Sequence, residues 1–180
     1  MATIILDRDG VINHDSDEYI KSPAEWRAIQ GSLEAIKRLN DEGYDVCIAT
    51  NQSGLGRNLF TVDTLAEIHQ KFIRSLETLG GHIHMIAYCP HLPADQCHCR
   101  KPNTGLLRAI NNEFHLDADT TWMVGDTAKD VECADRMGIR AALVKTGKGQ
   151  DELRKGVISR ETTPIFENLN DFVDWLIACH

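Results

Sequence analysis

No stretch of this chain approaches the ~18 consecutive apolar residues that a membrane-crossing helix requires. Nor does its start carry a basic region followed by an apolar core and a cleavage site. A soluble, cytoplasmic protein without a membrane partner is therefore expected. Positive charge is in short supply too: 19 Lys and Arg face 27 Asp and Glu, a formal net charge of −8. Phosphate backbones are held by clustered cations, and the basic residues here are scattered, so nucleic acid is not an expected partner. Internal repeats and low-complexity tracts are lacking as well. What is left is an ordinary globular chain. Its 180 residues, 42% of them hydrophobic, suit one domain spanning 1–180, with a monomer as the simplest state.

Apolar runs and helical periodicities alternate along the chain. Strands are predicted at 3–7, 45–50, 83–88, 121–124 and 141–144, and helices at 32–41, 62–79, 103–114, 128–137 and 169–179. Such alternation predicts an α/β fold, a Rossmann-like parallel sheet with helices on both faces. Gly43, Gly80-Gly81 and Gly138 follow helical stretches, where tolerance of positive φ is favoured. The polar, poorly periodic segment 150–163 reads as a surface connection before the last helix.

The most informative segment is Ile4-Ile5-Leu6-Asp7-Arg8-Asp9-Gly10, a strand that ends in two aspartates. At ~4 Å and an effective dielectric of about 20, two carboxylates repel by roughly 4 kcal/mol, which a divalent cation offsets. An ordinary surface turn is the competing reading. Three further segments weigh against it. Val46 through Ala49 runs into Thr50-Asn51-Gln52-Ser53-Gly54, a loop rich in donors for phosphate oxygens. Arg100-Lys101-Pro102 adds fixed positive charge, and Trp122-Met123-Val124-Gly125-Asp126 leads to a further aspartate, Asp130, one helical turn on. In a parallel sheet these strand exits share one edge, where open α/β folds bind ligands.

The cysteines divide into two groups. Cys47, Cys133 and Cys179 sit singly in predicted elements and read as small buried hydrophobes. Cys89-Pro90-His91 and Cys97-His98-Cys99 instead place three thiols and an imidazole within eleven residues. That spacing suits a structural zinc site with no open position, in a loop covering about 89–101. A disulfide is disfavoured in a reducing compartment. The zinc ligands are read as Cys89, His91, Cys97 and Cys99. His98 is the alternative nitrogen, set aside because the middle side chain of an extended Cys-x-Cys turn points away from its neighbours. A loop pinned in this way would hold Arg100 and Lys101 in place.

In order and type, Asp7-x-Asp9-Gly10, Thr50-Asn51, Lys101 and Gly125-Asp126-x-x-x-Asp130 resemble the four motifs of the haloacid dehalogenase superfamily of phosphatases. The resemblance implies Mg2+-dependent hydrolysis of a phosphomonoester. Asp7 would be the nucleophile and form an aspartyl-phosphate, while Asp9 would protonate the leaving oxygen and then activate water. Mg2+ would be held by the side chains of Asp7 and Asp126 and the backbone carbonyl of Asp9. Thr50 and Lys101 would grip the transferring phosphoryl group, with Asp130 orienting Lys101 or the metal shell. Asn51, Gln52 and Ser53 would touch substrate, and Arg100 would read its remainder as a bidentate guanidinium. Arg57 reads as a solvated loop residue.

With its cysteine loop the chain is similar to the zinc-containing branch of that superfamily, a minimal-cap group acting on a heptose bisphosphate or on histidinol phosphate. The run from Thr50 to Arg57, the acidic-to-aromatic stretch from Asn13 to Trp26, and a chain not fused to a dehydratase look like the heptose group. That implies a small sugar phosphate as partner and a place in making lipopolysaccharide core precursors, with Asp15, Ser16, Asp17 and Glu18 lining the sugar region. The short cysteine loop, and Thr127 where many heptose relatives carry lysine, keep the histidinol phosphate reading open. An open site also leaves polynucleotide 3′-phosphatase activity as a minor reading that the acidic balance disfavours. A zinc-stabilised binding module without turnover is the alternative of a different class.

Overall fold

The computed structural model describes residues 2–179, and its centre is strand β1, Thr3–Leu6, with every residue buried. Side chains alternate across a strand. Accordingly Ile4 and Leu6 enter one hydrophobic cluster and Ile5 the other. The remaining strands are β2 (Asp45–Asn51), β3 (Met85–Cys89), β4 (Trp122–Gly125), β5 (Arg140–Val144) and β6 (Ile165–Phe166). They form one parallel sheet in the order β3-β2-β1-β4-β5-β6. The order reverses direction at β1, whose neighbours are β2 and β4, so a crevice opens between their carboxyl ends.

Helices cover both faces. On one, α1 (Ser32–Asp41), α3 (Val62–Glu77) and α7 (Leu169–Ala178) contribute Ile36, Leu39, Ile68, Phe72, Phe172 and Val173 to the larger cluster. On the other, α4 (Gly105–Phe114) and α5 (Ala128–Met137) contribute Leu107, Ile110, Cys133 and Ala134. Capping marks their starts. Thr61 accepts from the Thr64 N–H before α3, and Asn168 accepts from the Asp171 N–H before α7.

The predicted elements are all present, α1 and α5 with the expected bounds and the others with ends shifted by at most two residues. Two short helices and a strand were not expected: α2 (Ser53–Gly56), α6 (Gly149–Arg154) and the two-residue β6. The segment 150–163 is thus more than a surface connection. It begins inside α6 and buries Leu153 and Ile158 with Leu143 of β5. Cys179 also departs from expectation. It is exposed beyond the end of α7, whereas Cys47 and Cys133 are buried as expected. None of the helices is long and apolar enough to cross a membrane among the described residues.

Candidate active site

Four strand exits converge on a cavity of about 240 Å³. Asp7 and Asp9 follow β1, Thr50 and Asn51 end β2, Lys101 comes from the segment after β3, and Asp126 follows β4. Backbone crowding at the crevice explains two glycines. A Cβ on Gly10 would lie 2.1 Å from Asp126 Oδ2, and one on Gly147 would lie 2.2 Å from the same atom. Gly10 also has φ +85°, where glycine carries no Cβ penalty.

Lys101 anchors the electrostatics. Its side chain is only 2% exposed, and Nζ donates to Asp130 Oδ1 (2.6 Å) and to the Ala49 carbonyl (2.7 Å). Asp7 Oδ1 stands 3.1 Å from the same ammonium. Burial alone would lower the Lys101 pKa, but the charges of Asp130 and Asp7 outweigh it and raise it. Asp130 is held in turn: its Oδ2 accepts from the Thr127 N–H (3.1 Å) and hydroxyl (2.8 Å), closing the first turn of α5. Both Asp130 oxygens are thus engaged inside the protein, which suits an orienting carboxylate.

Asp7, Asp126 and Asp130 bring ligand oxygens within 4.8 Å of one another. Three carboxylates around one ammonium leave excess negative charge in a buried place. Burial first, and then the neighbouring carboxylates against Lys101, push Asp7 up to about 7. Asp126 is pushed up to about 8 by burial and by the charge of Asp7. The Lys148 N–H holds Asp126 Oδ2 at 2.8 Å. A divalent cation between Asp7 and Asp126 would supply the missing positive charge, so the donor set fits Mg2+.

Asp9 behaves oppositely. Burial would raise its pKa, but the Arg8 charge and hydrogen bonds from Asn13 and Gln52 outweigh it and lower it. Asn13 Nδ2 donates at 2.8 Å and Gln52 Nε2 at 3.0 Å.

Most sequence-predicted site residues line the same cavity: Asp15, Ser16, Asp17, Ser53 and Arg100 join the core groups there. Three differ from expectation in what they do. Glu18 is exposed and lines a neighbouring depression with Lys21 and Glu25, because the chain turns at Tyr19, whose φ is +68°. The Asn51 amide is spent on Lys101, accepting from its N–H (3.0 Å) and donating to its carbonyl (3.1 Å). Gln52 lines the cavity too, with its Nε2 donating to Asp9 and Thr50. Both amides brace charged or hydroxyl groups of the cavity: Asn51 the Lys101 backbone, Gln52 the Asp9 and Thr50 side chains. Tyr19, Lys129 and Lys148 line the cavity and were not anticipated. Lys148 had a readable signal, since the loop after β5 repeats the small-residue pattern of the other strand exits. Its Nζ reaches Asp15 Oδ2 at 3.2 Å, tying the two rims together.

The cysteine cluster closes beside this site. Sγ of Cys99 lies 3.1 Å from Cys89 and 3.6 Å from Cys97, and His91 Nδ1 lies 3.2 Å from Cys99 and 3.5 Å from Cys89. These separations far exceed the ~2.05 Å of a disulfide and come near the edge, about 3.8 Å, of a tetrahedron with Zn–S of ~2.3 Å. The thiols are free, and the four donors are compatible with a zinc site. His98 turns away and lines a separate depression with Arg108 and Arg136. The Arg100 N–H donates to Cys97 Sγ (3.4 Å) and Arg100 Nη1 to the His91 carbonyl (3.4 Å), so the cluster holds the segment that delivers Lys101.

A parallel sheet with paired aspartates after β1, a hydroxyl at the end of β2, a lysine after β3 and a second acidic pair after β4 defines a haloacid-dehalogenase-like hydrolase. Residues 98–172 match a family model described as HAD-hydrolase-like. The chain is 46% identical, over 98% of its length and 95% of the relative's, to a D-glycero-β-D-manno-heptose-1,7-bisphosphate 7-phosphatase of Neisseria meningitidis. It is 47% identical, over 94% of its length and 95% of the relative's, to that of Pseudomonas putida. The crystal structure of the D,D-heptose 1,7-bisphosphate phosphatase of B. bronchiseptica, complexed with magnesium and phosphate, superposes with a TM-score of 0.96 at 44% identity, each chain covered completely. The chain belongs to the heptose-bisphosphate phosphatase family of the haloacid-dehalogenase-like hydrolases.

Proposed function

We propose that this phosphatase removes the 7-phosphate of a D-glycero-D-manno-heptose 1,7-bisphosphate, with Asp7 as nucleophile. The carrying observation is the Asp7 carboxylate set 3.1 Å from the buried Lys101 ammonium, in a chain matching the heptose enzymes over 98% of its length. Asp7 attacks phosphorus as the bond to the sugar oxygen breaks, and Asp9 gives that oxygen a proton. Water then attacks the aspartyl-phosphate, returning a proton to Asp9 and releasing phosphate from Asp7. Arg8, Asn13 and Gln52 favour the carboxylate form of Asp9 that accepts this proton, and an incoming phosphate dianion favours the acid form.

Lys101 and Thr50 hold the phosphoryl oxygens. The Thr50 hydroxyl accepts from Gln52 Nε2 at 2.9 Å, which leaves its own proton to donate. Mg2+ on Asp7, Asp126 and the Asp9 carbonyl would neutralise the meeting of an anionic nucleophile with an anionic ester. Zn2+ on Cys89, His91, Cys97 and Cys99 would fix the loop that carries Arg100, whose guanidinium takes the rest of the substrate.

Phosphate release from heptose 1,7-bisphosphate, histidinol phosphate and fructose 1,6-bisphosphate, measured side by side, tests this reading. The heptose ester is expected to be preferred, and Asp7→Asn or Mg2+ removal to abolish turnover. A preference for histidinol phosphate would overturn the substrate; activity surviving Asp7→Asn would overturn the mechanism.

A further inference from the structure

The core face of α3 presents an imidazole for which the chemistry above has no use. His69 stands among Leu65, Ile68 and Phe72, 8% exposed, where an amphipathic helix ordinarily places an apolar side chain. Its ring meets the edge of Tyr88 at 6.4 Å, and its Nε2 lies 3.2 Å from Arg8 Nη1. A guanidinium has only donors, so Nε2 accepts and the proton of the neutral ring sits on Nδ1. Burial, reinforced by the Arg8 charge, holds the imidazole pKa down to about 4, in keeping with that acceptor role.

Arg8 is itself fully buried, on the sheet side shared by Ile4 and Leu6, which is the side α3 covers. Its remaining nitrogens grip the neighbouring carboxylate in a fork: Nε donates to Asp9 Oδ1 and Nη2 to Asp9 Oδ2, both at 3.0 Å. A planar fork fixes the plane of the carboxylate it holds. The fork needs a third point to fix its own orientation, and His69 supplies it from 61 residues away.

We infer that His69 is a positioning residue for the proton-transferring Asp9, acting through the Arg8 guanidinium. The inference rests on the reading of Asp9 as acid and base, and it adds a distant side chain that sets the aim of that proton. Proton transfer tolerates only ~0.5 Å of misplacement before it weakens. In the phosphoryl-transfer half of the reaction, the defect on losing His69 should therefore appear where the leaving oxygen needs a proton, and fade where it does not.

The test compares a sugar phosphate, whose alkoxide must be protonated, with p-nitrophenyl phosphate, whose leaving group departs without help. His69→Leu is expected to lower kcat/KM on the sugar phosphate about tenfold, the scale of one lost hydrogen bond to a charged group; kcat/KM covers only the steps through departure of the leaving group, before the water step in which Asp9 serves both esters alike. On the aryl ester the fall should be under about twofold, and His69→Gln, which restores an acceptor, should recover most of the rate. Arg8→Lys, which keeps the charge and loses the fork, should reproduce the same bias independently of packing at position 69. Equal losses on both esters in His69→Leu and Arg8→Lys, or a Gln variant no better than Leu, would overturn the inference. An Asp9→Asn control separates the two levels. Bias there without bias in the position 69 and position 8 variants refutes the inference alone, and its absence from Asp9→Asn refutes the role of Asp9 together with it.

Discussion

Asp130→Asn is the substitution that most directly probes how the site is held. The change is nearly isosteric, yet the side chain is 1% exposed and each of its oxygens already accepts from a donor. One oxygen takes the Lys101 ammonium, the other the Thr127 N–H and hydroxyl. An amide must turn its NH2 toward one of these donors, so one contact becomes a donor facing a donor. Breaking a buried ion pair by neutralising one partner costs about 3–5 kcal/mol. Lys101 keeps Asp7 and the Ala49 carbonyl, and Asp7 and Asp126 are relieved of a repelling neighbour, which places the net near the lower end. About 3 kcal/mol in a domain of this size corresponds to a Tm lower by about 6–12 °C. Because Lys101 would no longer be aimed by two carboxylates, kcat should fall about 10- to 100-fold, less than the roughly 100- to 1000-fold lost when an oxyanion donor is removed outright. Thermal unfolding followed by circular dichroism and steady-state phosphate release measure the two effects. A variant within about 1 °C of the parent and with unchanged kcat would refute the claim that this ion pair fixes Lys101.

Three further outcomes are expected. In metal-free protein the pKa values of Asp7 and Asp126, about 7 and about 8, lie above the ordinary 3.8, so the folded state binds protons more tightly than the unfolded chain. Their contribution to stability is therefore present at pH 4 and lost as pH rises through 7 to 8, and Mg2+ should raise Tm more at pH 8 than at pH 6; the reverse order would contradict the charge excess. Gly125→Ala would place a Cβ 2.2 Å from Asp130 Cβ, so it should cost about 1–3 kcal/mol in urea denaturation and reduce turnover with it. Unchanged stability would show that the β4 exit has room to spare. Cys97→Ser should lower zinc below one equivalent by elemental analysis and expose the 89–101 loop to protease, since metal and loop fold together; a full zinc complement in the variant would remove Cys97 from the ligand set.

How much was legible beforehand follows from the range over which each feature is encoded. Asp7, Asp9, Thr50 and Asp126 stand at the ends of apolar runs, and a parallel sheet sends all such ends to one edge whatever the loops between them do, whereas Lys101 is brought there by the cysteine loop. The cysteine cluster could be read for a similar reason, its four donors lying within eleven residues. α6 and β6 escaped notice because six and two residues are too few to show a period.

Partnership is another matter. Whether Asn51 faces a ligand or the Lys101 backbone is settled by a hydrogen bond spanning 50 residues, and Asp130 was assigned to Lys101 across 29. Residue order alone determined the sheet, which polar residues gather at its carboxyl edge, and a charge balance that calls for cations. Tertiary structure alone decided which polar atoms are already spent on one another, and that His69 stands behind Arg8. Donor and acceptor capacity is exhausted only when groups distant in the chain come within about 3 Å, a distance that no local pattern of residue types encodes.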